Sequence, residues 1–162
     1  MNKVNSEESP TYNLNRLEDE DAVIAEALMI LTRRTQSGKM FNSPDLVSNY
    51  LIAKISQLEH EVFGCMFLDN QHQLLKDEEL FRGTIDGASV YPREVAKAAL
   101  QYNAKAVVFY HNHPSGVPEP SQADRALTEK LQEALQLFEI RVLDHIIVGG
   151  TDTISFAERG LI

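Results

Sequence analysis

The sequence has too few cysteines to form an internal disulfide. Cys65 is the single cysteine among 162 residues. A domain stapled by internal disulfides is therefore excluded, and a lone thiol suits a reducing compartment, so we expect a cytoplasmic protein. Cys65 lies within an apolar run, where a cysteine behaves as a small hydrophobe rather than as a catalytic thiol.

Long apolar runs are also missing. No stretch approaches the roughly 20 apolar residues that a membrane-spanning helix needs, and residues 1–21 lack the apolar segment of a secretory signal. This start is polar and rich in Ser, Asn and acidic residues. Because such a composition offers too little apolar surface to offset the entropy of ordering, we expect residues 1–18 to form a mobile tail and the protein to stay out of the membrane.

The sequence also lacks an excess of basic residues. Lys and Arg number 15 against 24 for Asp and Glu, which gives a formal net charge of -9. Phosphate backbones and anionic lipid surfaces attract proteins through a basic footprint. The composition therefore disfavours nucleic acid and membrane surfaces as partners.

The length and the apolar content of 43% suit one compact domain. Apolar residues recur at helical spacing in residues 21–34, and Ser43 and Pro44 read as the cap and first position of a second helix running to about His60. Further helices are predicted around Val95 to Tyr102 and from Leu127 to Phe138.

Short runs rich in β-branched and aromatic residues predict the strands. Helices and strands interleave, with a hairpin near the middle, so we expect an α/β (α+β) fold with a mixed sheet flanked by helices. The predicted strands are 62–68, 73–80, 106–110, 140–148 and 153–156, with a further strand starting near Gly83 and Thr84.

One segment, YHNHPSGVPEPSQAD at 110–124, concentrates residues that bind metals. His111 and His113 alternate at the end of a strand and so project to the same side. Asp124 follows Ser121 by three residues, on the first turn of the next helix, and a proline-rich loop holds that turn near the histidines. The pattern predicts that His111, His113 and Asp124 bind one metal ion.

Two imidazoles and a carboxylate with a fourth position for water are typical of a catalytic zinc site. Zinc lowers the pKa of bound water to about 7, which makes a metal-bound water the expected nucleophile. A hydrolase also needs a carboxylate that accepts a proton without binding the metal. Glu61, just before the first buried strand, is the predicted general base, and Ser121 is the predicted donor to the oxyanion.

These residues resemble the JAMM signature of the JAB/MPN metalloprotease superfamily. The segments GTIDGASVYPREV, HNHPSGVPEPSQAD, DHIIVGG and SFAERGLI are similar, more closely, to the bacterial RadC family. The resemblance implies a JAB/MPN-like (cytidine-deaminase-like) sandwich, Zn²⁺ as the metal, and cleavage of peptide or isopeptide bonds in a peptide or protein substrate. The resemblance covers roughly Glu61 to the C-terminus and implies a catalytic domain at 61–162, in a short form without the helix-hairpin-helix region of longer members. The helices predicted from apolar spacing make 19–60 a helical segment that we expect to pack on this domain.

Plainer interpretations of the same residues remain open. Ser121 and Asp124 also match a capping box, in which the serine accepts from a backbone N–H at the helix start. Glu59 and Glu94 are rivals of Glu61 as the base. His145 could be a partner of a metal ligand, but we favour its interpretation as part of a strand-entry pair with Asp144 and assign it no role in the site.

The sequence therefore predicts a zinc-dependent metallohydrolase of the JAMM type. Two rivals are a non-enzymatic MPN interaction module and a factor associated with DNA repair, as the RadC name suggests. Loss of ligands would favour the first, and salt-dependent binding to duplex DNA would favour the second.

Overall fold

A computed structural model describes residues 17–36, 44–83 and 90–162. None of the helices in these ranges is both long and apolar enough to span a bilayer. The described residues form four helices and five strands: α1 Leu17–Gln36, α2 Pro44–Ile55, β1 Val62–Leu68, β2 Leu74–Arg82, α3 Pro92–Gln101, β3 Ala106–Asn112, α4 Gln122–Gln136, β4 Arg141–Gly149 and β5 Asp152–Ser155.

The five strands form one mixed sheet in the order β2-β1-β3-β4-β5. Only β3 and β4 run parallel, and α4 provides the crossover that joins them. The remaining neighbours are antiparallel. The predicted mixed sheet flanked by helices is confirmed, and β3, which carries the histidine motif, is its central strand.

Helices cover both faces of the sheet, which explains why β1 and β3 read as unbroken apolar runs. Alternate residues of β3 point to opposite sides. Val107 and Phe109 pack with α3 and α4, whereas Val108 and Tyr110 pack with α2 and the partly buried face of α1. By this alternation His111 points towards α4.

The strands begin and end within one or two residues of the predicted limits. The predicted end of α2 near His60 is wrong, since the helix ends at Ile55. The buried side chain of Asn112 binds the segment that follows: its Nδ2 donates to the carbonyls of Leu58 at 3.3 Å and His60 at 3.1 Å. These bonds tie the segment to the end of β3, so a tertiary contact fixes residues 58–60 outside the path of the helix.

Three further predictions concern the ends of elements. The predicted end of α4 at Phe138 is two residues too far, because the helix ends at Gln136. The strand expected near Gly83 and Thr84 falls largely on residues 84–89, which lie outside the described residues. Most of the expected tail, 1–16, lies outside them too, and the division of the chain at residues 18 and 60 stays a prediction.

Candidate metal centre

His111 and His113 come together at the end of β3. His111 is buried, with 1% of its surface exposed. The chain leaves β3 after Asn112, but the backbone N–H of His113 still donates to the carbonyl of Val148 on β4 at 2.8 Å. This bond keeps the strand direction for one more residue, and the Nε2 atoms of the two histidines lie 2.9 Å apart.

Asp124 reaches the same point from the first turn of α4. Ser121 caps this helix: its Oγ accepts from the backbone N–H of Asp124 at 3.1 Å. In return, the backbone N–H and the hydroxyl of Ser121 each donate to Oδ2 of Asp124 at 2.7 Å. The capping box is therefore present, and it leaves Oδ1 of Asp124 turned towards the histidines.

The donor set fits a divalent metal. Nε2 of His111 lies 3.2 Å from Oδ1 of Asp124, and Nε2 of His113 lies 3.5 Å from Oδ2. Atoms that bind a tetrahedral zinc ion at about 2.0–2.2 Å are about 3.3 Å from one another. Oδ1 of Asp124 is also completely buried and has no hydrogen-bond donor among the described residues. A buried carboxylate oxygen without a donor is costly, and a cation would satisfy it.

The far side of each imidazole is bound to protein. Nδ1 of His113 donates to the carbonyl of Val117 at 2.8 Å, which leaves Nε2 with its lone pair. Nδ1 of His111 lies 2.8 Å from Nε2 of His145. The interpretation of His145 as a strand-entry residue is wrong, because it lies within β4, is fully buried and contacts a predicted ligand.

A glycine lets the loop of His113 pack closely on β4. A Cβ atom at Gly149 would lie 2.5 Å from the backbone nitrogen of Pro118 and 2.8 Å from the carbonyl carbon of Val117. Real Cβ atoms do not come that close to backbone. Gly149 therefore allows Val117 to sit where its carbonyl accepts from His113.

The electrostatics favour an ionised Asp124 and a neutral His145. Burial alone raises the pKa of Asp124, but the adjacent imidazoles of His111 and His113 outweigh it and hold the carboxyl pKa well below its usual range. Contact with Asp124 raises the pKa of His113. Burial lowers the pKa of His145 well below its ordinary value, and His111 lowers it further. Asp124 is thus charged and His145 neutral near pH 7.

Glu61 lies at the mouth of the site. It lines a narrow cleft together with His111 and Phe63, and its charge helps to raise the pKa of His113. Both rivals are exposed: Glu59 lies on the segment after α2, and Glu94 lines a separate cleft beside α3. The structure thus brings Glu61 to the histidines and places Glu94 elsewhere.

Sequence reasoning missed Asn112, which holds the segment carrying Glu61. Its Oδ1 accepts from the backbone N–H of Val62 at 2.8 Å, in addition to the two bonds from its Nδ2. Asn112 stands between the two histidines, so one strand end carries two predicted ligands and anchors the predicted base. Cys65, in contrast, is fully buried, and burial raises the pKa of its thiol.

Residues 41–161 match the family described as the RadC-like JAB domain. A UPF0758 protein of Pseudoalteromonas translucida is 58% identical over 141 residues, which cover 87% of this chain and 63% of that protein. One of Nitrosococcus oceani is 60% identical over 125 residues, 77% of this chain and 56% of that protein. The chain thus spans less than two thirds of these two relatives.

A shorter relative matches almost throughout. A UPF0758 protein of Vibrio cholerae is 54% identical over 149 residues, which cover 92% of this chain and 94% of that protein. The family match covers the sheet, α2 to α4 and every residue of the candidate metal centre. The chain belongs to the RadC-like JAB domain family.

Proposed function

We propose that the chain is a zinc-dependent hydrolase that cleaves a peptide or isopeptide bond in a peptide or protein substrate. The observation that carries the proposal is the convergence of His111, His113 and Asp124, with a buried carboxylate oxygen that finds no donor within residues 17–36, 44–83 and 90–162. The JAB superfamily includes metalloproteases of the JAMM type, and the ligand set fits theirs. The single buried cysteine suits a reducing compartment such as the cytoplasm.

His111, His113 and Asp124 would hold the zinc ion. When bound, zinc supplies a Lewis acid that polarises the amide carbonyl and makes a water molecule more acidic. Glu61 accepts a proton from the attacking water and returns it to the leaving amine. Glu61 is partly exposed and lines the same cleft as His111.

Ser121 has two tasks in this proposal. In the structure its hydroxyl donates to Oδ2 of Asp124. The backbone N–H of Ser121 donates to the same oxygen, so Asp124 keeps a donor when the hydroxyl hydrogen turns away. The hydroxyl can then donate to the oxyanion that develops on the carbonyl.

Metal content and turnover test the proposal together. We expect one zinc ion per chain after gentle purification or reconstitution, and cleavage of members of a peptide and isopeptide library. Glu61→Gln should keep the zinc and lose at least about 100-fold in turnover, a typical contribution of a general base. Glu94→Gln is the matched control, because Glu94 lines a different cleft, and it should behave as the wild type.

Two outcomes would overturn the proposal. One is a wild-type protein that cannot be loaded with zinc. The other is a zinc-loaded protein whose Glu61→Gln variant cleaves the library as fast as the wild type, which would remove Glu61 as the base.

A further inference from the structure

A chain of buried hydrogen bonds begins at the backbone of Asp124 and ends at the ring of His111. The hydroxyl of Thr128, one turn along α4, lies 2.7 Å from the carbonyl oxygen of Asp124. The same hydroxyl lies 2.6 Å from Nδ1 of His145. Nε2 of His145 lies 2.8 Å from Nδ1 of His111. Thr128 and His145 are both buried, with 1% and 0% of their surfaces exposed.

The first link fixes the direction of every other link. A carbonyl oxygen only accepts, so the single hydroxyl hydrogen of Thr128 is donated to Asp124. The hydroxyl oxygen must then accept from Nδ1 of His145. A neutral imidazole that carries its proton on Nδ1 has a lone pair on Nε2. Nε2 of His145 therefore accepts from Nδ1 of His111.

This order leaves His111 in one tautomer. With its proton on Nδ1, His111 presents the lone pair of Nε2 to His113 and Asp124, where the predicted ligands meet. The opposite tautomer would carry a hydrogen on Nε2, and a protonated nitrogen cannot bind a metal. The orientation of Thr128 thus decides whether His111 can be a ligand.

The aromatic rings around His145 fix the orientation of its imidazole ring. Its ring lies edge-on to Phe63 and Phe109, with centroids 5.6 Å and 6.1 Å away, and 4.8 Å from the ring of Phe156. A flipped ring would turn carbon atoms towards Thr128 and His111. Because no apolar neighbour offers a replacement partner, the flipped ring would leave both groups unsatisfied.

The segment after β5 holds the last of these rings in place. The hydroxyl of Ser155 donates to Oδ2 of Asp144 at 2.6 Å, and the backbone N–H of Ala157 donates to Oδ1 at 3.0 Å. The two bonds fix the residues on either side of Phe156, whose ring packs against His145. Asp144 therefore holds in place the aromatic ring that packs on its neighbour His145.

We propose that Thr128 and His145 are positioning residues that hold His111 in its metal-binding tautomer. Asp124 would then act twice, through its carboxylate as a ligand and through its backbone carbonyl as the start of the hydrogen-bond chain. This inference rests on the proposed zinc site. Partners of this kind typically change metal affinity by 10-fold to 100-fold when removed.

The test removes one hydroxyl without changing the volume of the side chain. Thr128→Val takes away the donor to Asp124 and the acceptor for His145, so His145 can shift its proton to Nε2 and force the wrong tautomer on His111. We expect zinc affinity, measured by competition with a chelator, to fall about 10-fold to 100-fold. Thr128→Ser keeps the hydroxyl and should bind zinc as the wild type does.

Thr153→Val is the matched control. Its hydroxyl donates to Ser48 at 3.1 Å, on the opposite face of the sheet from the metal centre. The same change of side chain there should leave zinc affinity unaltered. Equal affinity in Thr128→Val and wild type would overturn the inference.

Nitrogen NMR of the imidazoles in zinc-free protein gives a second readout. We expect the proton of His111 on Nδ1 in the wild type and in Thr128→Ser, and a detectable fraction on Nε2 in Thr128→Val. A wild-type His111 protonated on Nε2 would overturn the inference even if Thr128→Val failed to fold. Neither measurement uses substrate, so a protein that binds zinc but cleaves nothing would count against the proposed hydrolase alone. A wild type that takes up no zinc would count against the metal site. The NMR result would still show which nitrogen of His111 carries the proton.

Discussion

Two neighbouring residues of β3, Tyr110 and His111, lie in buried polar clusters on opposite faces of the sheet. In the tyrosine cluster, formed by Tyr50, Lys54, Asp77 and Tyr110, both oxygens of Asp77 accept hydrogen bonds from the other members. In the histidine cluster, formed by His111, His113, Asp124, Thr128 and His145, one carboxylate oxygen has no donor in the part of the chain that the structure describes. The first cluster is complete as folded, and the second is complete only with a cation.

The difference separates stability from function. A network whose buried polar groups are all hydrogen-bonded stabilises the fold, and removing one member leaves the others without a partner. A network with an unsatisfied group lowers the free energy of unfolding until a ligand binds to that group. Changes in the tyrosine cluster should therefore alter stability and leave metal affinity alone, and changes in the histidine cluster should do the reverse.

Gly64→Ala should have the largest effect, on the tyrosine side. Tyr110 lies across Gly64 of β1, where a Cβ atom would come within 2.0 Å of the ring. The ring is fully buried and held by Asp77 and Lys54, so it cannot move aside. We expect a loss of about 3 kcal/mol in the free energy of unfolding, measured by urea denaturation, as for severe overpacking.

Gly160→Ala separates the steric cost from the general cost of replacing a glycine. Gly160 has a φ of +66° and nothing within 4 Å of its Cβ position, so alanine there meets backbone strain alone, about 1–2 kcal/mol. Equal losses at the two positions would show that Tyr110 yields to the new methyl group.

Asp77→Asn and Asp124→Asn contrast the two carboxylates directly. Asp77→Asn leaves the Lys54 ammonium without its carboxylate, and we expect a loss of about 2–3 kcal/mol, less than for a fully buried pair because the Lys54 side chain is 20% exposed. Asp124→Asn keeps an oxygen for the backbone N–H of Ser121 and removes the ionised oxygen that lacks a donor. Its cost in zinc-free protein should stay below about 1 kcal/mol.

Zinc affinity should reverse that order. We expect Asp124→Asn to weaken zinc binding by more than about 100-fold, the upper effect of removing residues outside the ligand set, and Asp77→Asn to leave it unchanged. Urea denaturation and chelator competition on both variants check the pair. A zinc affinity lowered equally by the two substitutions would erase the distinction between the clusters.

Zinc itself should stabilise the wild type by a smaller amount. At a free concentration 100 times Kd the gain is about 2.7 kcal/mol, which raises Tm by about 5–11 °C in a chain of this size. Asp77→Asn should gain as much, because its ligands are intact, and Asp124→Asn should gain much less. A Kd raised 100-fold still allows a gain of about 0.4 kcal/mol at that concentration, so calorimetry with and without zinc on all three proteins contradicts the site if Asp124→Asn gains as much as the wild type.

The residues that could be predicted from the sequence depend on local geometry. His111 and His113 alternate on one strand, and Asp124 follows Ser121 on one helical turn, so their approach follows from short stretches of chain. The contact of His145 with His111 was not the favoured interpretation, because its place depends on the parallel register of β3 and β4. That register sets His145 opposite Phe109 and shifts between Val107 and Val108. Strand alternation within one segment does not reveal that register.

The end of α2 was missed for a similar reason. Its apolar spacing continues to Leu58, and the residue that takes up the following carbonyls, Asn112, lies more than 50 positions further along the chain. Thr128 offered a clearer signal, since it stands four residues after Asp124 and therefore on the same face of α4. A polar residue one turn from a predicted ligand is a candidate for holding that ligand in place.

Gly149→Ala is expected to have the smallest effect, and it tests the exposed edge of the histidine cluster. The new methyl group must push Pro118 and Val117 away from β4, because it would lie 2.5 Å and 2.8 Å from their backbone atoms. The carbonyl of Val117 then moves away from Nδ1 of His113, which loses the bond that fixes its tautomer. We expect zinc affinity to fall about 10-fold, the lower end for such partners. The free energy of unfolding should fall by about 1 kcal/mol, the lower end for overpacking, because residues 115–118 are at least partly exposed and can shift. Val117→Ala is the control, since it trims that exposed side chain and keeps the carbonyl, and it should bind zinc as the wild type does. If Gly149→Ala also bound zinc normally, the hold on His113 would come from β3 and the backbone bond to Val148, and the loop would have no part in it.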